Sequence, residues 1–380
     1  MKCLTGFAMI GLVICLVTGM AAVAAAQTGA ERHAAFDAAP KLETSVSGVH
    51  AFMTPPNGFN PLTATNAELW QYGLPDPPDK AVDPKGYELW KRAMLAIKTH
   101  AVDVRASDIS HRPVELTAVS KGVGNVSTAN SPNWSGIVST NKNTTWNSKT
   151  SFDKVYSVWN VPAALPPSGA PASDGPVWSV SNWNGIDGFG TDTLVQGGTD
   201  STYTSGKGAS YVGWVEWWPS YPELNIYCSK TALCVVNPGD DFYTISYGTA
   251  GTAEQYVYDE DLTTGWSGTF GMTFKSGVGL IGAAAEYITE RPCCVTVSGK
   301  SYYYPLANYI FDFFDYSFAY DGAKTLFYPG STSASTYNLT MQSDNGTDIS
   351  TATAGTAGYQ GKFSIWFEDE NCAYSGGCAY

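Results

Sequence analysis

Three segments of this 380-residue chain place a proton carrier or an amide where strand alternation would set it apart. In GWVEWWP, Trp214, Glu216 and Trp218 fall on one face of a strand and Val215 and Trp217 on the other, so Glu216 stands between two indoles. In IGAAAEYITE, Glu286 shares a face with Ala284 and Ile288. A carboxyl among apolar neighbours is harder to ionise, which suits a general base or acid working at low pH. In WNGIDGFGTDTLVQGGTD (183–200), Gln196 ends a short apolar strand and enters a Gly-Gly turn. An amide can donate to a developing oxyanion without ever titrating. Each feature has a plainer reading: a structural hydrogen-bond partner for the glutamates, turn chemistry for the glutamine, packing for the indoles.

The residue types missing from the same stretch narrow the chemistry further. All four histidines, His33, His50, His100 and His111, precede Ser131. A catalytic region confined to 131–380 therefore has no imidazole for a Ser-His-Asp triad or a Cys-His pair, and lacks the commonest zinc ligand. Carboxylate, amide and tyrosine remain for acid–base work. Charge is skewed in the same way. Residues 1–130 carry 11 Lys+Arg against 11 Asp+Glu, whereas residues 131–380 carry 10 against 23, so the net charge of −13 belongs to the second part. A surface this acidic repels phosphate backbones, which excludes nucleic acid as a partner.

The elements that must position these residues read as β. From about Asn133, short runs rich in Val, Thr, Tyr, Trp and Ile alternate with Gly, Asn, Ser and Asp clusters, as in SFDKVYSVWNVP, DDFYTISYG and GKFSIWFEDE. No amphipathic helix is expected after residue 130. About 250 residues of this texture suit an all-β sandwich of two packed antiparallel sheets, concanavalin-like or jelly-roll-like, spanning 131–380.

Ahead of it the texture changes. Residues 1–26 read as a signal peptide: Lys2, an apolar run from Phe7 to Val17, and Ala24-Ala25-Ala26 before Gln27. A secreted protein is expected, with no membrane span, since no later segment offers 18 continuous apolar residues. Residues 27–130 read as a propeptide. Gln27 to Asp83 is Pro-, Ala- and Thr-rich and is expected to be extended or loosely folded. A basic helix follows from Pro84, with Tyr87, Leu89, Trp90, Met94 and Leu95 apolar and Lys91, Arg92 and Lys98 alongside. Its charge suggests that it lies over the acidic cleft and inhibits, although a plain linker would look similar. Six cysteines remain after the signal, and short separations favour Cys228–Cys234 and Cys372–Cys378, leaving Cys293 and Cys294 vicinal or redistributed.

Six blocks, NWSGIV (133–138), WNGIDG (183–188), LVQGGTD (194–200), WVEWWP (214–219), NPGD (237–240) and AAEYITERP (284–292), together resemble the glutamic peptidases, or eqolisins. The resemblance implies a two-sheet fold and a peptidase acting on polypeptides by a catalytic pair that falls on Gln196 and Glu286, with no metal or cofactor. It also implies that Trp183, Asp187, Asp200, Trp214 and Glu216 shape the substrate site, with Trp218 beside them. Three departures stand out: Q-G-G in place of Q-T-G, Val212 where the family has aspartate, and Trp218 where it often has tyrosine. The Cys228–Cys234 loop looks like an addition. A monomer made as a proenzyme, with its own propeptide as inhibitor, is the resulting expectation. A carbohydrate-active sandwich using Glu216 and Glu286, or a non-catalytic sugar- or peptide-binding module with Trp214 and Trp218 as a platform, is the competing class.

Overall fold

Period-two alternation is what most of this chain obeys, and its consequence is a fold of two packed β layers. The computed structural model describes residues 31–122, 125–166, 177–249, 254–273, 279–297, 300–331, 334–343, 345–353 and 361–368. The signal segment and Cys372 and Cys378 lie outside them. One layer runs, in spatial order, Ala118–Lys121, Val126–Ser131, Ser335–Gln342, Trp134–Thr140, Ala284–Glu290, Val177–Ile186, Leu194–Thr204, Gly208–Trp218, Tyr221–Tyr227 and Asp103–Ala106. The other runs Asp348–Ala352, Phe363–Phe367, Phe311–Asp321, Phe152–Asn160, Asp241–Tyr247, Glu254–Asp261, Trp266–Thr273, Val49–Phe52 and Lys41–Glu43.

Two details depart from a sandwich of separate antiparallel sheets. The layers are hydrogen-bonded into one nearly closed sheet, because the end of Ser335–Gln342 pairs with Asp348–Ala352. Two pairings are parallel, Val126–Ser131 with Ser335–Gln342 and Thr99–His100 with Trp266–Thr273. Both involve strands from the first third of the chain, whose direction the later hairpins do not dictate.

Between the layers lies an aromatic core that includes Trp159, Trp178, Trp217, Phe242, Phe270 and Phe314. A polar seam crosses it: Trp159 Nε1 donates to Thr199 Oγ1 at 3.1 Å, Asn184 Nδ2 to the Thr244 carbonyl at 2.8 Å, and Thr244 Oγ1 to Asp259 at 2.6 Å. The Gly197 departure belongs here. Gly197 faces this core, where a Cβ would meet Val257 Cγ1 at 2.5 Å, so the glycine accommodates Val257.

The first third of the chain is not loosely folded. Helices over residues 31–38, Asn66–Trp70 and Pro84–Ala96 bury Phe36, Leu69, Trp70, Trp90 and Met94 against the outer face of the second layer, where Tyr156, Tyr243, Tyr247, Tyr256 and Tyr258 project. What the Pro/Ala/Thr composition hid is that most of the bulky residues, few as they are, are buried, Phe36, Phe52, Leu69 and Trp70 on the tyrosine-rich face and Val49 between the layers. The basic helix begins as expected, with Pro84 in its first turn and Asp83 as N-cap. It does not cover the acidic face bearing Glu216 and Glu286; it docks on the opposite layer, and Leu95 stays exposed. Tyrosines, apolar in body and polar at the tip, explain why this surface takes an apolar helix face and a carboxylate together. Asp83, 1% exposed, accepts from the Gly86 amide at 2.9 Å, from Tyr156 Oη at 2.9 Å and from Tyr316 Oη. Replacing Asp83 with Ala removes the cap and leaves buried hydroxyls unpaired, so the full-length chain should lose about 2 kcal/mol. Thermal unfolding measures this, and an unchanged midpoint would show that Asp83 does not anchor the docked segment.

Candidate active site

Strand register assembles the site as three rows on the outer face of the first layer. Glu286, Gly185, Gln196 and Glu216 are successive cross-strand partners and form the first row. Ile288, Trp183, Gly198 and Trp214 form the second, and Glu290, Ser181, Asp200 and Val212 the third. Because side chains alternate, every one of these positions faces the same side. Glu286 and Gln196 are two strands apart, about 10 Å at Cα, with only a glycine between them.

Each carboxyl in the first row is buried and incompletely paired. Glu286 is 0% exposed; Oε1 accepts from the Phe189 amide at 2.8 Å, and Oε2 has no partner among the described residues. Burial and the nearby Asp187 push its pKa well above the usual carboxylate range, against the pull of the Phe189 N–H. Both polar atoms of Gln196 are likewise buried without a partner, as is Glu216 Oε1. Burial also raises Glu216 strongly.

Asp187 does not line this row. It sits at φ 69°, a left-handed geometry that aspartate tolerates, and accepts from the amides of Ile281, Gly282 and Ala283 at 2.6, 3.0 and 2.7 Å. It thereby pins the segment leading into the Glu286 strand to the loop that presents the Phe189 amide. Trp183 packs edge-on against Trp134 and donates from Nε1 to Glu290 Oε2 at 2.9 Å. Trp218 lies at the rim under the Arg112 guanidinium, 5.9 Å from its centroid. Val212 stands directly opposite Asp200, so an apolar side chain occupies the position where the family pattern would set a second carboxylate.

The largest difference from the sequence reading is His111. The chain after Ser131 is free of histidine, but the folded site is not. Residues 107–117 cross the face that carries the three rows, and the His111 ring is fully buried there, stacked on Trp214 at 4.0 Å and 12°. Nε2 lies 3.1 Å from Glu223 and 3.7 Å from Asp200, Nδ1 lies 3.4 Å from Glu290, and the His111 amide donates to Glu216 Oε2 at 3.0 Å. Burial disfavours the imidazolium, but hydrogen bonds to Glu223 and Glu290 and the Asp200 charge outweigh it, and the pKa rises well above its ordinary value. His111, Asp200 and Glu223 are also close enough together to share a cation; the imidazolium already supplies one. Glu290 was legible, being four residues beyond Glu286 on the same strand face. Glu223, on a neighbouring strand beyond a bulge, and His111, from the far side of a presumed domain boundary, carried no local signal.

Asn133, in a glycosylation sequon, is buried and tied to this network, accepting from Ser131 Oγ at 2.8 Å and donating to Glu290 at 3.4 Å. The folded chain cannot present it to a glycan. Cys228 and Cys234 are joined, and Cys293 and Cys294 form a vicinal pair at the end of the Glu286 strand.

The first layer of this all-β fold thus gathers an amide and several carboxyls, their ionised forms disfavoured by burial, on one buried face. Residues 132–361 match the peptidase A4 family, and the chain belongs to that family, the eqolisins; it is a glutamic-type peptidase. This sets aside the carbohydrate-active alternative. The fold is similar to that of scytalido-glutamic peptidase solved with a peptide-based transition-state analogue, at 20% identity and TM-score 0.47, covering 62% of this chain and 98% of that one. It is also similar to SCP-B, an eqolisin solved with the tripeptide Ala-Ile-His, at 20% identity and TM-score 0.46 over the same shares of the two chains. No curated protein matches the sequence.

The buried carboxyls set the direction of pH dependence. Asp312, which accepts from Asn182 and from Thr289 Oγ1 at 3.1 Å in the polar seam, has its pKa pushed up to about 8 by burial. Between the ordinary aspartate value and about 8 the folded chain binds a proton that the unfolded chain does not. Stability therefore falls as pH rises through that window, by up to about 1.4 kcal/mol per pH unit for each such group. Asp312→Asn should flatten the slope of melting midpoint against pH between 5 and 8. An unaltered slope would show that Asp312 is ionised in the folded chain.

Proposed function

We propose that this chain is a secreted acid endopeptidase, made as a proenzyme, in which Glu286 and Gln196 act as one catalytic unit. Glu286 takes a proton from a water attacking the scissile carbonyl, Gln196 holds that water and then the tetrahedral oxyanion, and Glu286 returns the proton to the leaving nitrogen. The observation that carries the reading is the first row. Two side chains with unsatisfied buried polar atoms flank a residue without a side chain, and such atoms are costly unless something is meant to meet them.

The raised pKa of Glu286 belongs to the covered site. Buried as it is beside Asp187, the carboxyl has its ionised form disfavoured and is a poor base. Opening the face to water lowers the desolvation penalty and brings the group back toward the acid range, where it can both accept and return a proton. The 23 carboxylates after residue 130 suit the same conditions, since their mutual repulsion fades as they protonate. Export is supported by the apolar leader and the cysteine pairs. No helix among the described residues is long and apolar enough to cross a membrane.

Glu286→Gln and Gln196→Ala should each lower kcat/KM on a denatured protein substrate at acid pH by about 10³ or more, and the double variant should be scarcely worse than either. Glu216→Gln should cost less, because Trp214 and Trp183 hold the wall without it. More than about a tenth of activity surviving in a folded Glu286→Gln enzyme would overturn the assignment.

A further inference from the structure

Residues 107–117 are held along their whole length. The Ser107 amide donates to the Glu223 carbonyl at 3.0 Å, Ser110 and Cys293 exchange two backbone hydrogen bonds at 2.6 and 2.9 Å, and the Thr117 amide donates to the Asn130 carbonyl at 2.9 Å. Val114 packs into the apolar cluster of Trp134, Trp183 and Ile288, and Tyr303 Oη donates to Glu115 at 2.7 Å. At the centre His111 fills a pocket with an aromatic floor and acidic walls. That is the chemistry that recognises a flat cation: a stacking ring, a carboxyl within hydrogen-bond distance of Nε2, and a second carboxyl 3.4 Å from Nδ1.

We infer that the pocket formed by Trp214, Asp200, Glu223 and Glu290 is an imidazolium-binding site filled in cis by His111, and that its occupation latches residues 107–117 across the catalytic face until acid neutralises the walls. The inference rests on the proenzyme reading above, and it replaces the basic helix with this strap as the inhibitory element. The groups facing His111 are Asp200, Glu223 and Glu290 from three strands and Glu216 beneath its backbone; the Tyr304 hydroxyl borders Asp200 and Glu223. On its own segment, Arg112 points away to Trp218 and Asp108 lies toward Tyr304. Arg291, next to Glu290, is engaged by the carbonyls of Tyr304 and Pro132.

The sign follows from these neighbours. At near-neutral pH the imidazolium is balanced by carboxylate and the strap is held. Burial and the neighbouring Glu223 push the Asp200 carboxyl well above the usual carboxylate range, so that wall loses its charge early as pH falls while the His111 ring keeps its proton, and a buried cation stripped of counter-charge is expelled toward water. As pH rises through the raised histidine value, the ring loses its charge and the grip weakens again.

The full-length chain carrying Glu286→Gln, which cannot process itself, is the material for the test. Amide exchange of residues 108–116, corrected for intrinsic pH dependence, should be slow at pH 6.5 and at least tenfold faster at pH 3.5. Adding His111→Phe, which keeps the ring on Trp214 and removes the charge, should make exchange at pH 6.5 at least tenfold faster. Equal protection with and without His111→Phe, or equal protection at the two pH values, would overturn the inference. Should the Phe variant fail to fold, NMR titration of the His111 ring in the chain with only Glu286→Gln decides: it must stay charged above pH 7 and shift to a solvent-exposed signal in acid, and a neutral ring at pH 6.5 would sink the latch. None of these readouts requires catalysis. Residual peptidase activity in Glu286→Gln would therefore defeat the catalytic reading while leaving the latch standing.

Discussion

A charge taken out of water must find a counter-charge or a proton, and that constraint organises this molecule more than any single packing contact. Glu216, Glu286, Asp200 and Glu290 stand on one buried face, and Asp259 and Asp312 lie in the seam between the layers. They are accommodated in two ways. Glu286, Asp259 and Asp312 have their ionised forms disfavoured by burial, whereas Glu223 and Glu290 meet the one imidazolium that reaches them. Neutral carboxyls bury at less cost than ionised ones, and an imidazolium among carboxylates offsets part of the cost where they stay charged.

The same constraint explains why the first third of the chain is integral to the fold. Val49–Phe52, Thr99–His100, Asp103–Ala106 and Ala118–Lys121 add strands to one layer or the other, and the helices cover a tyrosine-rich surface. The segment touches both outer faces of the sandwich by different means. Its helical part is held by apolar burial, by tyrosine hydroxyls around Asp83, and by ion pairs such as Arg92–Asp241 and Arg32–Asp76. Its strap is held by backbone hydrogen bonds and brings His111 among Asp200, Glu223 and Glu290.

Much of the site was legible because strands project side chains with a period of two. That rule placed Glu216 between Trp214 and Trp218, put Val215 and Trp217 in the opposite core, and set Glu286 among apolar neighbours. Gln196 was expected to end a strand before a Gly-Gly turn but lies inside Leu194–Thr204, and alternation could not show that Gly185 separates it from Glu286, since cross-strand register is not written in either strand alone. Asp187 was recognised only as part of a pattern; its work, pinning the 281–283 amides, depends on a turn geometry no local rule specifies.

By itself the sequence determined the all-β class, the start of the Pro84 helix, the acidic balance, and the family to which six spaced blocks belong, because these follow from alternation, capping and composition, all short-range properties. Only the tertiary structure decided that Gly197 serves the core, that the basic helix docks away from the acidic face, and that His111 crosses more than a hundred residues of separation to lie on Trp214 among Asp200, Glu223 and Glu290. The physical reason is that burial and charge pairing depend on distance in space, and a histidine counted as absent from the catalytic stretch lies, once the chain is folded, at its electrostatic centre.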